Sequence, residues 1–294
     1  MRGEPSAAAF VPRLALPSIP PPAYHRLVRY AVDLGNSAAK VGYLREGALV
    51  SLRVAAPANP RDASAWRGVA EALLNLAAGE GGAATELVVG SVVPEGAAAL
   101  HEVAASRGVA VELLQSRDLP LVSRLEEPDR IGVDRALAAW FTYAQQGAPQ
   151  RRGAIAVTLG TALTLTCVSR TGELLGGAIA ASPILAARAL ASGTAALPEV
   201  TLYDESPEIP GPIGASTESA LAAGILRSAR GGLAALVNES VIEMERRDPG
   251  SPAPAISLTG GAATAGWSAG IRADLRDPDL VVRALLALPR SVRT

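Results

Sequence analysis

The sequence predicts an α/β protein built from two similar halves, and three observations carry that expectation. Apolar strand-like runs alternate with amphipathic helical patterns along most of the chain. A strand that enters a glycine turn and returns as a second strand occurs around Asp33 and again around Thr158, an offset of about 125 residues. Three strand ends also set glycine beside a small hydroxyl or amide, at Gly35-Asn36-Ser37, Gly160-Thr161 and Thr259-Gly260-Gly261.

Residues 1–27 are rich in alanine and proline, with a run at Pro20-Pro21-Pro22, and read as a disordered tail. Their apolar stretch from Ala7 to Val11 is broken by Pro12 and Arg13, which makes a poor signal peptide. Leu27 to Val32 forms a strand entering the turn Asp33 to Ser37; Lys40 to Leu44 returns from it, and Leu49 to Val54 adds a third strand. Trp66, Val69, Ala70, Leu73, Leu74 and Leu76 recur at helical spacing and predict a helix over 66–78. The continuous apolar run Glu86 to Val93 reads as a buried strand stopped by Pro94, followed by a helix over 97–105 and a strand over 109–114. Asp134 opens a helical pattern through Ala136, Leu137, Trp140 and Phe141. In the second half, strands are expected at Ala154 to Thr161, Leu163 to Val168, Glu173 to Ile179 and Ala255 to Leu258. Helices are expected over 183–191, 217–246 and 278–286, the long one broken or kinked at Gly231-Gly232.

Bulk composition narrows the function classes. A length of 294 residues accommodates two ordinary domains, and 49% hydrophobic against 19% charged residues marks a folded globular chain. Net charge is −1 with arginines scattered, which argues against nucleic acid or an anionic membrane as partner. No uninterrupted apolar run approaches the ~18–20 residues that span a bilayer, so a cytoplasmic protein is expected. The one cysteine, Cys167, lies in an apolar run and reads as a buried structural thiol. With His25 and His101 the only histidines, a divalent ion is left to oxygen ligands, including a substrate's phosphates.

Lys40 is the one lysine among 27 basic residues, and it ends the run Asp33-Leu34-Gly35-Asn36-Ser37-Ala38-Ala39-Lys40. A compact ammonium on a flexible stem suits a phosphate oxygen. Glycine turns expose N–H groups at close approach, and Ser and Thr hydroxyls bond phosphate oxygens. Each turn alone reads equally as a tight turn, Asp134 as a first-turn helix aspartate and Arg135 as a solvated helix arginine. Taken together, the three turns point to a nucleotide cleft between two halves.

From about Arg29 to Arg290 the chain resembles the type III pantothenate kinases of the acetate-and-sugar-kinase, Hsp70 and actin superfamily. The resemblance rests on motifs in the family's order: Asp33-Leu34-Gly35-Asn36-Ser37; Ser91-Val92-Val93-Pro94; Pro128 with Gly132-Val133-Asp134-Arg135; Gly160-Thr161-Ala162-Leu163-Thr164 followed by Gly176-Gly177 and Leu197-Pro198; Gly214 to Gly224 with Thr217; and Leu258-Thr259-Gly260-Gly261. It implies duplicated ribonuclease-H-like domains of the actin/hexokinase type, over 28–150 and 151–294, with an ATP cleft between them. The implied activity is ATP-dependent phosphorylation of pantothenate, the first step towards coenzyme A. By that resemblance Asp33 lies by the triphosphate and its Mg²⁺, the hairpin through Lys40 with Gly160, Thr161, Gly260 and Gly261 holds ATP, and Asp134 is the base for the substrate hydroxyl. Gly132, Val133 and Arg135 belong to the pantothenate site, and Thr217 contacts pantothenate across a homodimer interface.

The chain departs from the family's pattern in its second half. Thr158 stands where an aspartate usually helps bind a monovalent cation, K⁺ or NH₄⁺, and Thr166 replaces a second aspartate. Ala181-Ser182 replaces a Pro-Gly pair, and Leu125 stands where many members carry an aromatic near the pantothenate pocket. Two readings follow beside the cation-independent pantothenate kinase: a catalytically decayed homologue that binds ligand as a regulator, and a kinase for another small hydroxyl compound.

Overall fold

A computed structural model describes residues 28–81, 84–202 and 209–289; the tail expected over 1–27 lies outside them. In chain order the regular elements are β1 (Val28–Leu34), β2 (Ala38–Arg45), β3 (Ala48–Ala55), α1 (Ala63–Gly81), β4 (Ala84–Ser91), α2 (Pro94–Ser106), β5 (Ala110–Leu114), β6 (Val122–Ser123) and α3 (Val133–Thr142). The second half contributes β7 (Ala154–Leu159), β8 (Ala162–Val168), β9 (Glu173–Ala181), α4 (Pro183–Gly193), α5 (Thr217–Arg247), β10 (Ala255–Thr259), β11 (Leu275–Arg276) and α6 (Leu280–Ala287).

The strands form two sheets with one pattern. The first runs β3-β2-β1-β4-β5 and the second β11-β10-β7-β8-β9-β6. In each, the first three strands of the half make an antiparallel meander, a fourth strand (β4 or β10) joins the meander's first strand in parallel, and a fifth (β5 or β11) joins that fourth strand in parallel; the second sheet adds β6 beside β9. β1 therefore corresponds to β7, β2 to β8 and β4 to β10, so Thr158 takes in the second half the place that Asp33 takes in the first. These are the two ribonuclease-H-like halves of the expected duplicated fold.

Side-chain parity decides what each sheet face meets, because successive residues of a strand point to opposite faces. Tyr30, Val32 and Leu34 pack with Trp66, Leu73 and Leu100 of α1 and α2. Ala31 and Val88 face the other way, onto α3 and α6, which also receive Ala154, Ala156 and Val168 from the second sheet. The remaining face of that sheet, with Ile155, Val157 and Leu165, is covered by Leu226, Leu233 and Val237 of α5. α3 and α6 thus form a layer between the sheets. By the same parity Asp33 and Thr158 point into that layer from opposite sides.

Several local expectations shift. α5 is one unbroken helix across Gly231-Gly232, correcting the expected break. Two glycines cost roughly 1 kcal/mol each against alanine, and the buried stripe Leu226, Leu233, Val237 and Met244 holds the helix on the sheet regardless. Pro94 does not merely stop β4. The strand ends at Ser91, and Pro94 begins α2, where a missing N–H costs nothing. β6 and β11 are two-residue strands, too short to leave a period in the sequence. α5 is long and apolar enough to cross a membrane by length and composition, yet its apolar stripe is spent on the second sheet.

Candidate active site

The two hairpin turns touch. The Ser37 and Thr161 hydroxyls lie 2.6 Å apart, joining the turn after β1 to the turn after β7. Each turn is closed by its own glycine, Gly35 N–H donating to the Ala38 carbonyl at 3.0 Å and Gly160 N–H to the Ala162 carbonyl at 3.2 Å. The third turn abuts the end of β7. Gly260 has φ +94°, and a Cβ there would lie 2.5 Å from the Leu159 carbonyl, so only glycine fits. Gly261 lies beside the Arg53 guanidinium of β3. The predicted turns therefore converge at the carboxyl ends of β1, β7 and β10, where open α/β sheets place their ligands.

Two carboxyl groups lie close to one another at the end of β1. Asp33, the last but one residue of β1, is pushed up to about 7, first by burial and next by the negative charge of Asp134, with Lys40 opposing. Burial also raises Asp134, against the Arg135 backbone N–H, which donates to its Oδ1 at 2.8 Å, and the Arg135 charge. Asp134 is thus a first-turn helix aspartate as well as a buried acid. The motif's glycine has a steric reason: a Cβ on Gly132 would stand 2.5 Å from Asp134 Oδ1, so Gly132 is the space the carboxylate occupies. Val133 is buried in the cluster that also holds Val88 and the side chains of α6, and anchors the helix start.

Lys40 is opposite Asp33 in the β1/β2 register. Its ammonium donates to the Pro278 carbonyl at 2.6 Å and to Asp279 Oδ1 at 2.8 Å. The lone lysine therefore ties the first hairpin to the start of α6 while placing positive charge behind Asp33. Nothing in the sequence announced Asp279 as its partner, since the two are far apart in the chain and belong to no shared period.

The second half presents hydroxyls where the first presents charges. Thr158 pairs with Thr164 of β8 and Thr259 of β10, so three threonines stand side by side across adjacent strands on the face towards α3. The Thr164 and Thr259 hydroxyls are buried without a hydrogen-bond partner. This neutral row offers no carboxylate of the kind the resemblance places at position 158 for a monovalent cation. Among the described residues no group of three or more His, Cys, Asp or Glu could hold a metal ion.

Arg135 reaches from α3 to β8, where Nε donates to Thr166 Oγ1 at 3.3 Å and Nη2 to the Leu165 carbonyl at 3.2 Å. Thr217 is placed apart from these groups. It is exposed at the first turn of α5 and lines an apolar groove with Leu190, Leu197, Leu221 and Ile225. Cys167 is buried with its thiol pushed up to about 11 by burial, which makes it a packing residue.

A profile of the type III pantothenate kinase family matches residues 30–239. Among curated relatives, the type III pantothenate kinase of Sphingopyxis alaskensis is 28% identical over 264 residues, covering 88% of this chain and 96% of the relative. The type III pantothenate kinase 1 of Symbiobacterium thermophilum is 34% identical over 245 residues, covering 80% and 85%. Among solved structures, the ethanolamine utilization protein EutJ of Carboxydothermus hydrogenoformans aligns with TM-score 0.50 at 14% identity over 92% of this chain and 90% of that one, a likeness of fold alone. The matched span contains both hairpin turns, the Gly132–Arg135 motif and Thr217: the chain belongs to the type III pantothenate kinase family.

Proposed function

We propose that this protein transfers the γ-phosphoryl group of ATP to the primary hydroxyl of pantothenate, giving phosphopantothenate and ADP as the first step of coenzyme A biosynthesis in the cytoplasm. The observation that carries this reading is the Ser37–Thr161 contact, which closes two glycine turns into one cradle at the end of the strand that carries Asp33, with Asp134 near enough to raise the Asp33 carboxyl. Backbone N–H groups of the Asp33 to Lys40 hairpin, with Gly160, Thr161, Gly260 and Gly261, would surround the triphosphate, and Lys40 adds positive charge behind Asp33. Mg²⁺, held by Asp33 and the phosphates, would neutralise charge on the transferring group.

Asp134 accepts the proton of the attacking hydroxyl as its oxygen bonds to the γ-phosphorus and the bond to the β–γ bridging oxygen breaks, releasing ADP. A carboxylate raised by burial is a stronger base than one in water, which suits this step near neutral pH. Arg135 holds the pantothenate carboxylate. That Asp33, Asp134, Arg135 and Thr161 are all retained in the chain supports an active kinase over a decayed homologue.

The second copy of a homodimer would cover the apolar groove between α4 and α5, bringing Thr217 to the partner's substrate. Ile184 and Leu190 are exposed on α4, and Gly224 keeps the α5 side of that groove open.

Turnover is followed by coupled ADP release with pantothenate and Mg-ATP, in K⁺, NH₄⁺, Na⁺ or a bulky organic cation. With Thr158 neutral, the rate is expected to be the same in all four. Strong activation by K⁺ or NH₄⁺ alone would show that the threonine row binds the ion after all, and no ADP release in any of them would remove the kinase reading.

A further inference from the structure

Among the described residues, the Arg135 side chain is held by neutral groups alone. Its two hydrogen-bond acceptors, the Thr166 hydroxyl and the Leu165 carbonyl, are both uncharged. Burial lowers the pKa of the guanidinium, and Asp134 works against that shift. No salt bridge fixes its fork among the described residues, unlike Arg29, which is paired to Glu112 at 3.1 Å. A partly desolvated guanidinium held along one side by neutral groups keeps N–H donors and charge for a planar anion, and a carboxylate matches that fork.

Thr166 is the side chain that sets the fork. It is 1% exposed, in the middle of β8, on the face shared with Thr158 and Thr164. Thr164 and Thr259 on this face are buried without partners, whereas the Thr166 hydroxyl is engaged by Arg135. Its β-branched side chain is stiff at χ1, so the strand dictates where the oxygen points.

We propose that Thr166 is a positioning residue for substrate recognition: its hydroxyl, with the Leu165 carbonyl, orients Arg135 so that the free edge of the guanidinium meets the acceptor's carboxylate. The acid is then preferred over analogues that lack that charge. This assignment rests on the pantothenate reading and adds a determinant of specificity to it. Thr166 itself touches no reacting atom.

Thr166→Val keeps the shape and branching and removes only the hydroxyl; Thr166→Ser keeps the hydroxyl. Steady-state kinetics are measured on wild type and both variants with two acceptors that share the phosphorylated hydroxyl, pantothenate and pantothenyl alcohol, whose carboxylate is replaced by a neutral hydroxymethyl group. In Thr166→Val the KM for pantothenate is expected to rise about tenfold, the loss of one hydrogen bond to a charged group. The kcat, the KM for ATP and all constants for the alcohol should stay at wild-type values, and Thr166→Ser should restore the preference for the acid. An unchanged acid-to-alcohol ratio in Thr166→Val, or an equal loss on both acceptors, overturns the assignment and leaves Thr166 a packing residue. Failure of the wild type to phosphorylate either compound would instead remove the functional reading, and this assignment with it.

Discussion

Asp134→Asn is expected to lower kcat by about two to four orders of magnitude, the usual contribution of a positioned general base, while the protein stays folded. Asparagine fills the same space beside Gly132 and its Oδ1 still accepts the Arg135 N–H, so the start of α3 is preserved. What it cannot do is take a proton. The same substitution should make the unliganded protein more stable on the alkaline side. Asp33 and Asp134 both have folded-state pKa values above the ordinary carboxylate range, Asp33 at about 7. The fold therefore favours their protonated forms, and that stabilisation is present in full below the unfolded value of about 4 and lost as pH rises through the folded values. Removing one of the two acids removes its share of the loss and relieves Asp33 of a like charge. Thermal melting of both proteins at about pH 5 and about pH 8 reads the difference. The variant's advantage should appear at the higher pH and shrink at the lower one. A variant that turns over at the wild-type rate would take the role of base away from Asp134.

Gly177→Ala is expected to destabilise the protein by about 3 kcal/mol, at the upper end of what overpacking usually costs. Gly177 lies opposite Thr166 in the β8/β9 ladder, and a Cβ there would stand 1.9 Å from the Leu165 carbonyl oxygen. Backbone rather than a flexible side chain is in the way, so the two strands must move apart. The displaced carbonyl is the one that accepts from Arg135 Nη2, so the KM for pantothenate should rise as well. Urea unfolding measures the first effect, with Gly231→Ala as the control. At Gly231 nothing lies within 4 Å of an added Cβ, and alanine in that helix should stabilise by about 0.5–1 kcal/mol. Equal midpoints for Gly177→Ala and wild type would mean that the close approach of β8 and β9 is not rigid.

Much of the fold was legible because period and turn chemistry are local signals. The meander after Val28, the helix over Trp66 to Ala78 and the repeat near Ala154 all came from spacing that tertiary structure preserved. The glycine turns were legible for the same reason, since Gly35, Gly160 and Gly260 serve turns that the neighbouring residues define. What was not legible came from contacts across the chain. The Ser37–Thr161 contact and the Lys40–Asp279 pair join residues more than a hundred positions apart. The alignment of Thr158 with Thr164 and Thr259 depends on strand order and register, which no single segment encodes. The break expected in α5 failed because propensity is a weak term beside a buried apolar stripe. Lys40 stood out as a candidate phosphate ligand; in the structure its ammonium holds the first hairpin to the start of the last helix, a contact no local pattern announces.

The most direct test of the account is phosphorus NMR of a mixture of the protein, Mg-ATP and pantothenate. The account predicts that the γ-phosphate signal of ATP is replaced by ADP signals and one phosphomonoester signal, in equal amounts, and only when pantothenate is present. ADP accompanied by inorganic phosphate, or no change with pantothenate over ATP alone, would contradict it.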